Sequence, residues 1–197
     1  MGSVCERTVK KGEIAPLLPL LQLESPGKLE GKSVIHFFMP DEAVLHALGK
    51  ISLLHSRLDH ILKMTLKTLA GVRVAQALDA TAFEPSASLR RRVRKLARNK
   101  LGEGTALIQV EALLERSRRA TERRNELIHS IWAREEGEDT SNSPTGILAI
   151  REWKPTPTVA ELETLATEIE ILIVELNQAR VDGFIAKAMT RRPQREN

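Results

Sequence analysis

Three things are scarce in this chain. It has one cysteine (Cys5), no tyrosine, and aromatic residues at only 3% of its 197 positions. A single cysteine closes no intramolecular disulfide, which fits a reducing compartment, and a cytoplasmic location is expected. One cysteine among scattered histidines also gives no cluster with zinc-ligand spacing, so neither a metal nor a cofactor is expected. With so few aromatics, a nucleic-acid surface built on base stacking is a poor fit, and any RNA contact would rest on Arg and Lys. No apolar run approaches the roughly 20 residues of a membrane span. Residues 14–23, IAPLLPLLQL, are apolar but short, and Pro16 and Pro19 interrupt them. Glu6 and Glu13 precede that run and no small-residue cleavage site follows it, which does not suit a signal peptide.

Hydrophobic residues make up 42% of the chain and charged residues 28%, enough for one domain with a real core. The net charge is +4. Its distribution says more: between Arg90 and Arg124 there are twelve Lys or Arg against four Glu. That segment is either a surface facing a polyanion or a pair of solvated helix faces.

Residues 1–39 read as an arm that packs on the domain or on a partner subunit, because Pro16, Pro19 and Pro26 argue against a long helix. Residues 33–39 could form a short extended segment. The domain itself is expected over 40–197. Pro40, Asp41 and Glu42 mark a helix start, with acids suited to the N-terminal dipole. Its apolar stripe runs from Val44 to Leu69 at helical spacing and ends near Gly71. His55 falls inside that stripe, either as a packed core histidine or beside a site. Asp59, one turn later, is the natural carboxylate partner for a buried Arg.

A short helix is expected over 72–80 and another over 87–100, capped by Ser86 or Ser88 and ended by Gly102 and Gly104. Leu89, Val93 and Leu96 would form the inner edge of the second. Arg90, Arg91, Arg92, Arg94, Lys95 and Arg98 would form the rest. The next helix is expected over 105–131. Its inward stripe reads Leu107, Val110, Leu114, Ser117, Thr121, Arg124, Ile128 and Ile131. A guanidinium in a core stripe needs a partner or a cleft, since an unpaired buried charge costs several kcal/mol. Residues 133–145 read as an acidic loop and 146–154 as a strand that pairs with 129–134 in a small hairpin carrying Trp132 and Trp153. Thr158 and Glu161 form a capping box that opens a helix to about residue 188, with Gly183 at a bend or close contact. Its apolar girdle is wider than one face, which a partner subunit would cover. Residues 191–197 read as a basic tail.

The stretch TERRNELIHSIW, residues 121–132, holds the chemistry. Asn125 and His129 are four apart and share a helix face, whereas Arg124 lies about 140° round from His129. One straight helix does not aim both at one atom, but a second copy brought by a two-fold axis does. A His can move protons near neutral pH, and an Arg can hold a scissile phosphate. That combination suits RNA cleavage by the internal 2′-OH.

The residues Arg124-Asn125-Glu126-Leu127-Ile128-His129 resemble the R-N-x-x-x-H motif of HEPN domains. The likeness covers roughly residues 41–188. It implies an all-α, HEPN-like bundle of four to five helices with a small β-hairpin after the motif helix. It further implies a homodimeric, metal-independent endoribonuclease, a toxin or defence component with an antitoxin-like protein partner. By the resemblance Arg124 and His129 would be catalytic, Asn125 supporting, and Asp59 placed like acids that brace the motif Arg in some members. His55 would support the site, and Arg90, Arg91, Arg94, Lys95 and Arg98 would grip the RNA. The alternative is a non-catalytic, dimeric interaction or nucleotide-binding module. There Arg124 pairs with Asp59 and His129 caps its helix as a cation. A DNA-binding role for residues 89–100 is weaker, because no helix-turn-helix spacing precedes them.

Overall fold

The computed structural model describes residues 35–135, 145–149 and 152–191. Most of the arm expected over 1–39, most of the acidic loop and most of the basic tail lie outside them. The elements in order are β1 (Ile35–Phe37), α1 (Glu42–Ala70), α2 (Val74–Asp79), α3 (Ser86–Leu101), α4 (Thr105–His129), β2 (Ile131–Glu135), β3 (Thr145–Ala149), β4 (Glu152–Pro155), α5 (Val159–Val181) and α6 (Phe184–Arg191). The chain is mostly a helical bundle. No helix among the described residues is long and apolar enough to cross a membrane.

Helix α1 is the spine. Asp41 caps it, its Oδ1 accepting from Val44 N at 2.8 Å, and so satisfies one of the open N–H groups of the first turn. Gly71 ends it at φ 70°, a left-handed conformation that glycine adopts without a Cβ clash. Between these stops, Ile51, Leu58, Leu62 and Leu69 are fully buried. They pack mainly on α5 and α3, with α4 alongside. Leu89, Val93 and Ala97 of α3, Val110, Leu114 and Leu127 of α4, and Leu162, Ile169 and Leu176 of α5 complete one continuous core.

Helix α5 opens on the expected capping box: Thr158 Oγ1 accepts from Glu161 N at 3.2 Å, and Glu161 Oε2 accepts from Thr158 N at 2.7 Å. It ends at Val181, and α6 starts again at Phe184, so the single helix expected to about 188 is two. Gly183 sits at the break. A Cβ there would come within 2.8 Å of both Ala179 Cα and Gln178 O, a fit only glycine allows.

The expected hairpin is part of a larger sheet. Four antiparallel strands lie in the order β1-β2-β3-β4. The strand expected over 146–154 is two strands, β3 and β4, paired Ile147 to Lys154 and Leu148 to Trp153. Residues 35–37 pair with β2, His36 opposite Arg134. The sheet stands directly on the C-terminal end of α4. Trp132 Nε1 donates to Leu127 O at 3.3 Å, and its ring meets Phe38 edge to face at 6.4 Å. Glu126 holds Lys154 of β4 and, at 2.9 Å, Arg123. The sheet therefore fixes where α4 stops, two residues before the expected Ile131.

Candidate functional site

Three helices bring polar groups together around Thr121. Its stripe position on α4 is buried, yet it carries a hydroxyl, and that hydroxyl needs partners. Arg90 Nη1 of α3 donates to Thr121 Oγ1 at 2.8 Å. Thr121 Oγ1 donates to Ser117 O at 2.8 Å. His55 Nε2 of α1 lies 3.1 Å away. A hydroxyl has one proton and two acceptor sites. Arg90 takes one acceptor site, and His55 Nε2 shares the hydroxyl with Ser117 O.

The other face of the imidazole meets Asp59, its Nδ1 3.8 Å from Oδ2. Ser86, the first residue of α3, donates to the same Oδ2 at 2.8 Å. Neither Ser86 nor Ser88 therefore caps α3; Pro85 occupies the cap position without a side-chain bond. Burial holds the His55 imidazole below its usual pKa. The Asp59 carboxylate pulls the other way, and the charges of Arg124 and Arg90 reinforce the burial. Burial also lowers the Arg90 guanidinium, opposed first by Asp59 and then by Glu122.

These bonds place Asp59 at the level of the motif. Helix α3 runs against α4, since Arg90 meets Thr121 while Arg98 meets Glu111. One turn from Arg90 to Ser86 therefore corresponds to one turn from Thr121 toward Arg124 and Asn125. Asp59, bonded to Ser86, stands level with them.

Arg124 is half-buried, and Asn125 and His129 are exposed. Arg124 Nη1 donates to Asn125 Oδ1 at 2.9 Å. Its Nε is buried without a hydrogen-bond partner, as is Asp59 Oδ1. Arg124 and Asp59 form no ion pair among the described residues. The other four arginines of α4 do pair with carboxylates: Arg116 with Glu175, Arg118 with Glu115 and Glu122, Arg119 with Glu115, and Arg123 with Glu126. Among the described residues, Arg124 is the one arginine of this helix without a carboxylate partner.

His129 is the last residue of α4, and among the described residues no hydrogen bond joins its side chain to Arg124 or Asn125. Ile128 and Ile131, expected in the core, are 37% and 41% exposed; Ile131 lies beyond α4, as the first residue of β2. Inside Arg124-to-His129, Glu126 is a structural residue. Its carboxyl is held below the usual range chiefly by Lys154 and next by Arg123.

The expected RNA grip on α3 divides in three. Arg90 is 8% exposed and belongs to the buried network, not to the surface. Arg98 is tied to Glu111 at 2.8 Å. Arg91, Arg94 and Lys95 lie on one outer face at helical spacing, with no ion-pair partner among the described residues. Thr121, Ser117 and Ser86 were not expected in the site. The signal was Thr121, a hydroxyl residue in a core stripe that needs a partner from another helix; Ser117 contributes only its backbone carbonyl, its own Oγ having no hydrogen-bond partner among the described residues.

Comparison of the chain with protein-family models, with curated proteins and with solved structures found no match.

Proposed function

We propose that this chain is a metal-independent endoribonuclease of the HEPN type, working as a homodimer. The observation that carries the reading is the uncompensated Arg124, held beside Asn125 on a helix where every other arginine is paired. A reserved guanidinium of this kind suits a phosphate, which it can hold through parallel N–H donors. His129, exposed five residues on, supplies a group that moves protons near neutral pH.

In the reaction the 2′-OH loses its proton as its oxygen bonds the adjacent phosphorus. The P–O5′ bond breaks, and the 5′-oxygen leaves after taking a proton. The products are a 2′,3′-cyclic phosphate and a 5′-OH end. Arg124 stabilises the charge gathered on the phosphoryl oxygens. His129 carries one of the two proton transfers, and Asn125 holds Arg124 through its Oδ1 while its amide can donate to the phosphate.

The azimuths favour a dimer. Arg124 and His129 are about 140° apart on one helix, so the Arg of one copy and the His of the other would serve one phosphate. Exposed Ile171 and Val174 of α5, with Ile128 and Ile131 beside the motif, are apolar surface that a second copy would cover. Arg91, Arg94 and Lys95 would grip the flanking RNA.

The test is cleavage of end-labelled RNA in EDTA. The natural protein should release cyclic-phosphate ends, and His129→Ala should lose about 10²–10⁴-fold in rate. No cleavage by the folded natural protein, freed of any bound partner, would favour an interaction or nucleotide-binding module instead.

A further inference from the structure

We infer that Arg90 is a positioning residue for Arg124: buried, and joined through the Thr121 hydroxyl to His55, whose ring faces Asp59, it keeps the Arg124 guanidinium off that carboxylate and open to a phosphate. What Arg124 binds rests on the ribonuclease reading; the geometry does not.

The starting point is a pair of orphaned atoms. Asp59 Oδ1, an acceptor, and Arg124 Nε, a donor, are both buried and both without a hydrogen-bond partner. They belong to opposite charges at the same level of the bundle. Such groups ordinarily close on one another, because an unpaired buried charge is costly. Here they do not.

Arg90 explains why. Its guanidinium is more deeply buried than Arg124's, and its one hydrogen bond is to the neutral Thr121 hydroxyl. It forms no ion pair among the described residues, so its charge depends on the field of nearby carboxylates. Asp59 contributes most to that field and Glu122 next. Asp59 meanwhile spends Oδ2 on Ser86 and faces the His55 ring. A second guanidinium approaching Asp59 would meet the like charge of Arg90, in a region where little water screens it. Arg124 turns instead to Asn125. Removing the Arg90 charge removes the repulsion and frees the carboxylate to capture Arg124.

The test uses the full chain and a labelled single-stranded RNA oligonucleotide, with affinity followed against salt. Arg124→Ala should weaken binding by about tenfold or more and reduce the slope of log affinity against log salt by about 0.7 for the one phosphate lost. Arg90→Met and Arg90→Gln, checked for helical content, should produce the same slope loss although Arg90 touches no RNA. Adding Asp59→Asn to either should restore the slope, and Arg90→Lys should retain it. A folded Arg90 variant with the natural slope overturns the inference. So does a slope loss that Asp59→Asn fails to restore, because that marks a merely structural role.

Exchange of the Arg124 Nε proton, read by NMR without RNA, gives an independent arm. It should slow in the Arg90 variants and stay unchanged in Asp59→Asn alone. A change in the latter shows that Arg124 already uses Asp59 and overturns the inference, even if no Arg90 variant folds. If Arg124→Ala leaves RNA binding untouched, the RNA reading fails while the exchange measurement still decides the role of Arg90.

Discussion

Thr121→Val removes one oxygen from the centre of the bundle and keeps the shape. In the natural protein that oxygen accepts from Arg90 Nη1 at 2.8 Å, meets His55 Nε2 at 3.1 Å and donates to Ser117 O at 2.8 Å. The Ser117 carbonyl also serves as a helix acceptor, so its loss is minor. The other two losses are not. A hydrogen bond from a charged donor is worth about 1.5–3 kcal/mol, and a neutral buried polar group left without its partner costs about 1–3 kcal/mol. The added methyl returns up to about 1 kcal/mol through burial. The net expectation is a loss of about 2–4 kcal/mol, a large share of the stability of a domain this size. Urea unfolding followed by helical circular dichroism measures it, with an unchanged m-value as the check that the comparison is fair. Pairing Thr121→Val with Arg90→Met should give a coupling of about 1–3 kcal/mol, because both remove the same bond. A loss below about 1 kcal/mol, or additive effects, would refute the hydroxyl as the hub of the three helices.

Other consequences can be measured alongside. His55 is held neutral by burial, so below its ordinary pKa of about 6.5 the unfolded chain takes a proton that the folded chain refuses. Stability should therefore fall as pH drops below that value, by at most about 1.4 kcal/mol per pH unit, until the folded imidazole titrates; His55→Gln should flatten the change between pH 7 and 5. Gly183→Ala places a Cβ 2.8 Å from backbone atoms of α5 and should cost about 1–3 kcal/mol in the same unfolding assay. Replacing Arg91, Arg94 and Lys95 together by Ala should lower the RNA salt slope by about 2, whereas Arg98→Ala, already paired with Glu111, should lower it much less.

Local chemistry made the helix ends legible. Asp41, Gly71, Gly102 and the Thr158–Glu161 box each act within one turn, and each falls where expected. The stripe of α1 from Val44 to Leu69 was equally readable, because its period is set by the helix alone. Long-range pairing was not. Residues 146–154 alternate like one strand, yet they fold back as β3 and β4. Pairing β2 with residues 35–37 depends on a contact some hundred residues away in sequence. The end of α4 was misplaced for the same reason: Ile131 fits the helical stripe, but β3 claims it as a strand partner.

The site was half legible. Arg124, Asn125 and His129 stand out by type and spacing, and the structure leaves all three open to some degree. The spacing of α3 could not show which of its arginines is buried, because the partner that draws Arg90 inward is a hydroxyl on another helix. Arg124, the arginine expected to need a buried partner, has none among the described residues and bonds the exposed Asn125 instead. Asp59, level with Arg124 in the bundle, turns to Ser86 and His55 instead.

The central claim is a site completed by two copies, and mixing Arg124→Ala with His129→Ala tests it most directly. Neither variant alone should cleave RNA at an appreciable rate. If the Arg of one copy serves the His of the other, each mixed dimer keeps one intact site and one empty one. Random exchange makes half of the dimers mixed, so cleavage should return to about a quarter of the natural rate. Cleavage that stays at the level of the separate variants, with subunit exchange verified, would contradict the shared site.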